Sequence, residues 1–178
     1  MSKENEKKIK EEIRKQLFSA KEELVLEAVE KTRKHADASF IEPLLLARLA
    51  GSADVHQSVD GVLNELKISD AEAALIEALE DERFVALREQ ILSYIWHSGF
   101  QAVDAVAIMA KIAVNGSYME AFEALTVVEQ MTDEIQEAFL LEALIELRAG
   151  ISEMDDSDAR YPILVGMLQY LTDTEDQQ

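Results

Sequence analysis

SADVHQSVDGVLNELKISDAEAALIEAL, Ser52–Leu79, is the stretch on which the reading of this chain turns. Val55, Val59, Val62, Leu63 and Leu66 recur at three- and four-residue spacing, the period of one helical face. Ser69-Asp70 then breaks the pattern, with Asp70 placed as an N-cap, and Ala74, Leu75, Ala78 and Leu79 resume it. The stretch predicts two helices joined by a turn.

Working outward, the same arrangement recurs. Leu24, Val25, Ala28 and Val29 lead to a turn at Asp37, then Ile41, Leu44, Leu45 and Leu49 lead to a stop at Gly51. Phe84, Leu87, Ile91, Leu92 and Ile95 run to Ser98-Gly99 and return through Val103, Val106, Ile108 and Ile112. After Asn115-Gly116-Ser117 come Met119, Phe122, Leu125, Val128 and Met131, a cap at Thr132-Asp133, and Phe139, Leu140, Leu144 and Leu147, closed by Gly150.

The turns at Asp37, Asp70, Gly99 and Asp133 lie 33, 29 and 34 residues apart. A repeating helix pair of this length buries its apolar face only by stacking on its neighbours, and an ordinary antiparallel helical bundle is the alternative source of four such degenerate copies. The expected architecture is all-α, a single domain over 1–178. It has a narrow-striped cap helix over 1–18 (Ile9, Ile13, Leu17), four helix pairs over 20–150, and an acidic connector with a final cap helix over 151–178.

Composition agrees with that class. The chain has 178 residues, 48% hydrophobic, with two prolines and no cysteine, so disulfides and thiolate chemistry are excluded. The charged opening MSKENEKKIK gives no sign of a secretory signal, and no apolar run reaches the roughly 20 residues of a membrane span, so a cytoplasmic protein is expected. The net charge is -19, unevenly spread: residues 1–35 hold ten bases and eight acids, the remainder seven bases and 28 acids. Such a body repels nucleic acid and anionic lipid, and its charge has two readings: solubility alone, the commoner one, or attraction of a basic partner protein.

Catalytic and metal patterns are missing. His35, His56 and His97 do not form His-Glu-x-x-His or Glu-x-x-His, and the cluster Glu153, Asp155, Asp156, Asp158 lacks the glycine and glutamate that an EF-hand loop needs. There is no Gly-x-Ser-x-Gly and no glycine-rich phosphate loop. No cofactor is expected.

FIEPLLLARL (Phe40–Leu49) resembles the second helix of a HEAT repeat, and VHQSV (Val55–Val59) followed by Val62-Leu63 is similar to that family's first helix. The likeness spans about residues 20–150 and is closest to the short bacterial HEAT and armadillo-type repeats. It departs where the family's first-helix arginine is replaced by His56 or Leu26, leaving Arg88 as the one candidate for that part. The resemblance implies a right-handed α-α superhelix with the second helices along its concave side. Tetratricopeptide and ankyrin signatures are missing. Some HEAT-like proteins are enzymes, DNA glycosylases and bilin lyases among them; a basic groove for the first is opposed by the charge, and nothing is diagnostic of the second.

The expected function is therefore a non-catalytic protein–protein scaffold, binding a basic or amphipathic partner segment on an acidic concave surface. A HEAT-like enzyme or a structural homo-oligomer is the alternative. Glu42, Glu77, Asp104 and Glu142 are the candidate acids, taken from a set that also includes Glu72, Glu137 and Glu146. Trp96 and His97, in YIWHSGF (Tyr94–Phe100), have two readings: an exposed anchor for the partner, or, the commoner fate, Trp96 and Phe100 plugging the core.

Overall fold

A computed structural model describes residues 3–35, 37–65 and 70–175. These form ten α-helices and three short 3-10 segments, with no strand among the described residues. The chain divides into two compact units, Met1–Ser98 and Gly99–Gln178.

In the first unit, α1 (Lys3–Leu17) packs on α2 (Glu22–His35), α3 (Ile41–Ala50) on α4 (Ala53–Leu63), and α5 (Ala71–Glu80) on α6 (Arg88–Ser98). Alternate helices also touch: α1, α3 and α5 form one row, and α2, α4 and α6 the other. Phe40, Leu44, Leu45, Leu63, Leu75, Phe84 and Ile91 are buried in this unit. Each such side chain contributes about 1.5–3 kcal/mol of hydrophobic stabilisation.

The closest consecutive pairs therefore start at α1, one helix earlier than the sequence suggests. For α3 and α4 loop length is the reason, since a short connection forces antiparallel neighbours. Gly51 and Ser52 alone separate α3 from α4: Gly51 caps the first, and the Ser52 hydroxyl accepts from the Val55 N–H at the start of the second. A Cβ at Gly51 would lie 2.6 Å from Val55 Cγ1 and 2.8 Å from the Ala47 carbonyl, so this turn has no room for a side chain. Seven residues separate α4 from α5, and four of them, Leu66–Ser69, lie outside the described residues, including the expected turn residue Ser69.

Arg48, Asp60 and Tyr94 tie α3, α4 and α6 together. Arg48 Nε donates to Asp60 Oδ1 at 2.6 Å and Nη2 to Oδ2 at 3.3 Å, while the Tyr94 hydroxyl donates to the same Oδ1. Burial, and then the Asp60 carboxylate, push the Tyr94 phenol far up, so it stays a neutral donor. Burial works against the Arg48 cation, but Asp60 and Tyr94 together outweigh it and the guanidinium is held charged.

In the second unit, α7 (Val106–Asn115) and α8 (Tyr118–Glu129) form a hairpin about Gly116-Ser117, and α9 (Glu137–Glu153) and α10 (Tyr161–Glu175) form another. α7 lies along α9, and α8 along α10. Ser117 opens α8 with a full capping box, its hydroxyl accepting from the Glu120 N–H and the Glu120 carboxylate from the Ser117 N–H. Met109, Val128, Leu144, Leu147, Leu164 and Met167 fill the interior.

Several expected boundaries move. Asp70 precedes α5 but makes no side-chain cap bond there. Residues 82–87 are 3-10 rather than α-helical. Thr132 and Asp133 do not cap α9, which begins at Glu137; their N–H groups donate instead to the Gln101 side-chain carbonyl. Gly150 does not close α9, which continues to Glu153. Its Cβ, if present, would stand 2.5 Å from Val114 Cγ1, so the glycine lets α9 lie against α7. The acidic connector is tied down: Arg160 binds Asp158 through two nitrogens, and its Nη1 donates to the Val114 and Gly116 carbonyls at 2.8 and 2.9 Å, at the end of α7. The last helix extends past Leu171 to Glu175; the tail residues 176–178 lie outside the described residues.

Candidate partner-binding groove

Of the acids picked out in the sequence, Glu42 and Glu77 come together. Glu42 sits in the first turn of α3 and Glu77 in the second half of α5, and these helices are neighbours in the same row. Both carboxylates are exposed. They border a groove of about 290 Å³ that the small side chains of Ala38, Ala74 and Ala78 leave open, with Asp81, Arg83 and Phe84 at its other side.

Arg83 is the group that sequence reasoning overlooks. It stands in the 3-10 segment just after α5, where the Asp81 side chain caps the segment by accepting from the Arg83 N–H at 2.8 Å. That turn aims the guanidinium back at Asp81 (Nη2 to Oδ2, 2.6 Å) and across to Glu42 (Nη1 to Oε1, 2.6 Å), with Cζ 5.2 Å from the centre of the Phe84 ring. The hydrogen bonds from Arg83 lower the Asp81 pKa, and Asp81 followed by Glu42 raises that of Arg83. Glu77 has no ion-pair partner among the described residues. The groove thus holds one guanidinium of its own and one carboxylate to spare. The hint in the sequence is Asp-x-Arg after a helix, which also reads as an ordinary surface pair.

The other expected positions do not line this groove. Trp96 is half-buried on α6 and stacks on His97, ring centroids 3.5 Å apart at 27°. His97 is exposed, its Nδ1 2.9 Å from the Ser93 carbonyl. The core position expected of Trp96 belongs to Tyr94, 1% exposed, two residues earlier, and Phe100 is half-buried. Asp104 and Glu142 are exposed in the second unit. Arg88, the candidate family arginine, donates from Nε to the Leu79 carbonyl at 3.0 Å and so serves the C-terminus of α5.

Among the described residues no three His, Asp or Glu side chains are arranged to hold a metal ion, and no helix is long and apolar enough to cross a membrane. Comparisons with family models, with curated proteins and with solved structures find no match to this chain.

Proposed function

We propose that this chain is a non-catalytic protein-binding scaffold of the HEAT-like kind, a right-handed α-α superhelix of stacked hairpins, whose acidic surface takes a basic segment of another protein. The observation that carries the reading is Arg83: a guanidinium seated over an aromatic ring between Glu42 and Asp81, with Glu77 beside it and without an ion-pair partner among the described residues. A groove that accommodates its own arginine has the geometry to accept an arginine or lysine from outside, and planar guanidinium–carboxylate pairing gives that recognition direction as well as charge. The overall charge of -19 draws basic partners from a distance and keeps nucleic acid away. The alternate-helix rows within each unit are those a stack of hairpins makes.

The test is fluorescence anisotropy with a labelled arginine-containing peptide against a citrulline-containing control at low and high salt. Glu42→Gln and Glu77→Gln should each weaken binding of the arginine peptide, and it should fall steeply with ionic strength. Arg83→Ala should strengthen it, because the internal competitor is gone. Equal binding of the citrulline peptide, or indifference to salt, rejects the reading.

A further inference from the structure

The longest helix among the described residues, α9, has two apolar faces, and only one of them is covered. Leu140, Ala143, Leu144 and Leu147 are buried in the second unit. On the opposite side Ala138, Leu141, Ile145 and Ala149 follow one another at three- and four-residue spacing, all exposed, with Leu141 at 48% and Ile145 at 59%. A helix that needed only one buried face would carry polar residues there. At 100° per residue, Glu142, Glu146 and Glu153 border this stripe on one edge, and Glu137 and Arg148 on the other.

Charge decides what covers it. Residues 99–178 hold sixteen acids against three bases, Lys111, Arg148 and Arg160. Arg160 is committed to Asp158 and two carbonyls. A second copy of this unit would bring like charge onto the same stripe, which opposes association. The lysine-rich helix α1 of another copy is no better an occupant, because its apolar Ile13 and Leu17 are buried in its own unit. We infer that the Leu141–Ile145 face of α9 is a docking surface for an amphipathic helix of another protein, apolar on one side and rich in lysine or arginine along its borders. Such a helix sets its apolar residues on Leu141 and Ile145 and its cations against Glu142, Glu146 and Glu153. This surface is separate from the Arg83 groove and stands without it.

The experiment uses the full chain and a labelled peptide of about four helical turns, leucines on one face and lysines on the other, beside a twin in which glutamates replace the lysines. The lysine peptide should bind and the glutamate twin should not. Leu141→Ser and Ile145→Ser keep the net charge and should each weaken binding of the lysine peptide roughly tenfold, the effect of losing one buried aliphatic anchor. Glu142→Lys should weaken it too. Both aliphatic positions are exposed, and unchanged circular dichroism shows that the variants remain folded. Leu141→Ser and Ile145→Ser should leave binding of the arginine peptide at the groove unaffected, so that failure of the groove and failure of the stripe are separate results. The inference is overturned if the serine variants bind like the parent, since attraction is then general and not seated on the stripe. It is equally overturned if the glutamate twin binds as well, or if sedimentation shows a dimer of the parent that Ile145→Ser dissolves.

Discussion

Gly150→Ala and Gly166→Ala make the same chemical change in two helices of one unit, and they should move stability in opposite directions. Replacing glycine by alanine inside a helix gains about 1 kcal/mol from backbone entropy and propensity. At Gly166 in α10 an added Cβ meets nothing within 4 Å, so the full gain should appear. At Gly150 it would stand 2.5, 2.7 and 3.1 Å from Val114 Cγ1, Cγ2 and Cβ. Carbon atoms prefer about 3.5–4.0 Å, so α9 would have to lift from α7 by about 1 Å. Val114 is itself in a helix, where a β-branched side chain keeps one rotamer, so it cannot swing aside. Overpacking of this kind costs about 1–3 kcal/mol, which leaves Gly150→Ala between neutral and about 2 kcal/mol less stable than the parent. Urea unfolding followed by circular dichroism measures both variants. Val114→Ala removes the two clashing methyls and should make Gly150→Ala tolerable, so that the double-mutant cycle shows a favourable coupling of about 1–2 kcal/mol. The reasoning is refuted if Gly150→Ala stabilises the protein as much as Gly166→Ala does, or if the cycle is additive.

Three further outcomes are expected. Asp60→Ala strands the Arg48 guanidinium, whose side chain is only 13% exposed, and should cost about 2–4 kcal/mol; Tyr94→Phe, which leaves the Arg48 pair in place, should cost about 1–2, and denaturant unfolding ranks the two. The Lys10 ammonium, 2.7 Å from Asp37, and then the Ser39 side chain hold the Asp37 carboxyl at about 2, below its ordinary 3.8. A depressed carboxyl stabilises the fold above the unfolded value and loses that contribution as pH falls from about 4 to about 2. The Asp37 side chain is 46% exposed, so solvent screening reduces the contribution to at most about 1 kcal/mol; Lys10→Met should remove most of it at neutral pH and flatten the acid limb of thermal melts. Ser117→Ala breaks the capping box of α8 and should cost about 1 kcal/mol, read in the same unfolding assay.

Much of the local structure is visible in the residues themselves. Ser52, Asp37 and Ser117 each cap the segment that follows, because an oxygen on a short side chain reaches N–H groups two or three residues ahead and nothing distant competes. Of the expected stripe of α1, Ile13 and Leu17 are buried as the spacing predicts and Ile9 is half-buried. Thr132-Asp133 misleads for the opposite reason: Gln101, about thirty residues earlier, takes the N–H groups of that turn, and α9 starts later. Glu42 and Glu77 are legible as candidates on second helices, but Arg83 is not. Its partners stand 41 and two residues earlier in the chain, and no local pattern announces the distant one.

The sequence by itself determines that this chain is helical, where most helices begin, and that its body is strongly acidic, because propensity, capping and charge are carried by residues within a turn or two of each other. Which helices lie together is decided by the tertiary structure. Ser52–Leu79, read alone, is a hairpin; in the folded protein α4 pairs closely with α3 and α5 with α6, and the two-residue connection Gly51-Ser52 is what holds α4 against α3. The same holds for Gly150, for the seat of Arg83 and for the uncovered face of α9. Each depends on what stands opposite, and a 3.6-residue period shows that a face is apolar without showing what it meets.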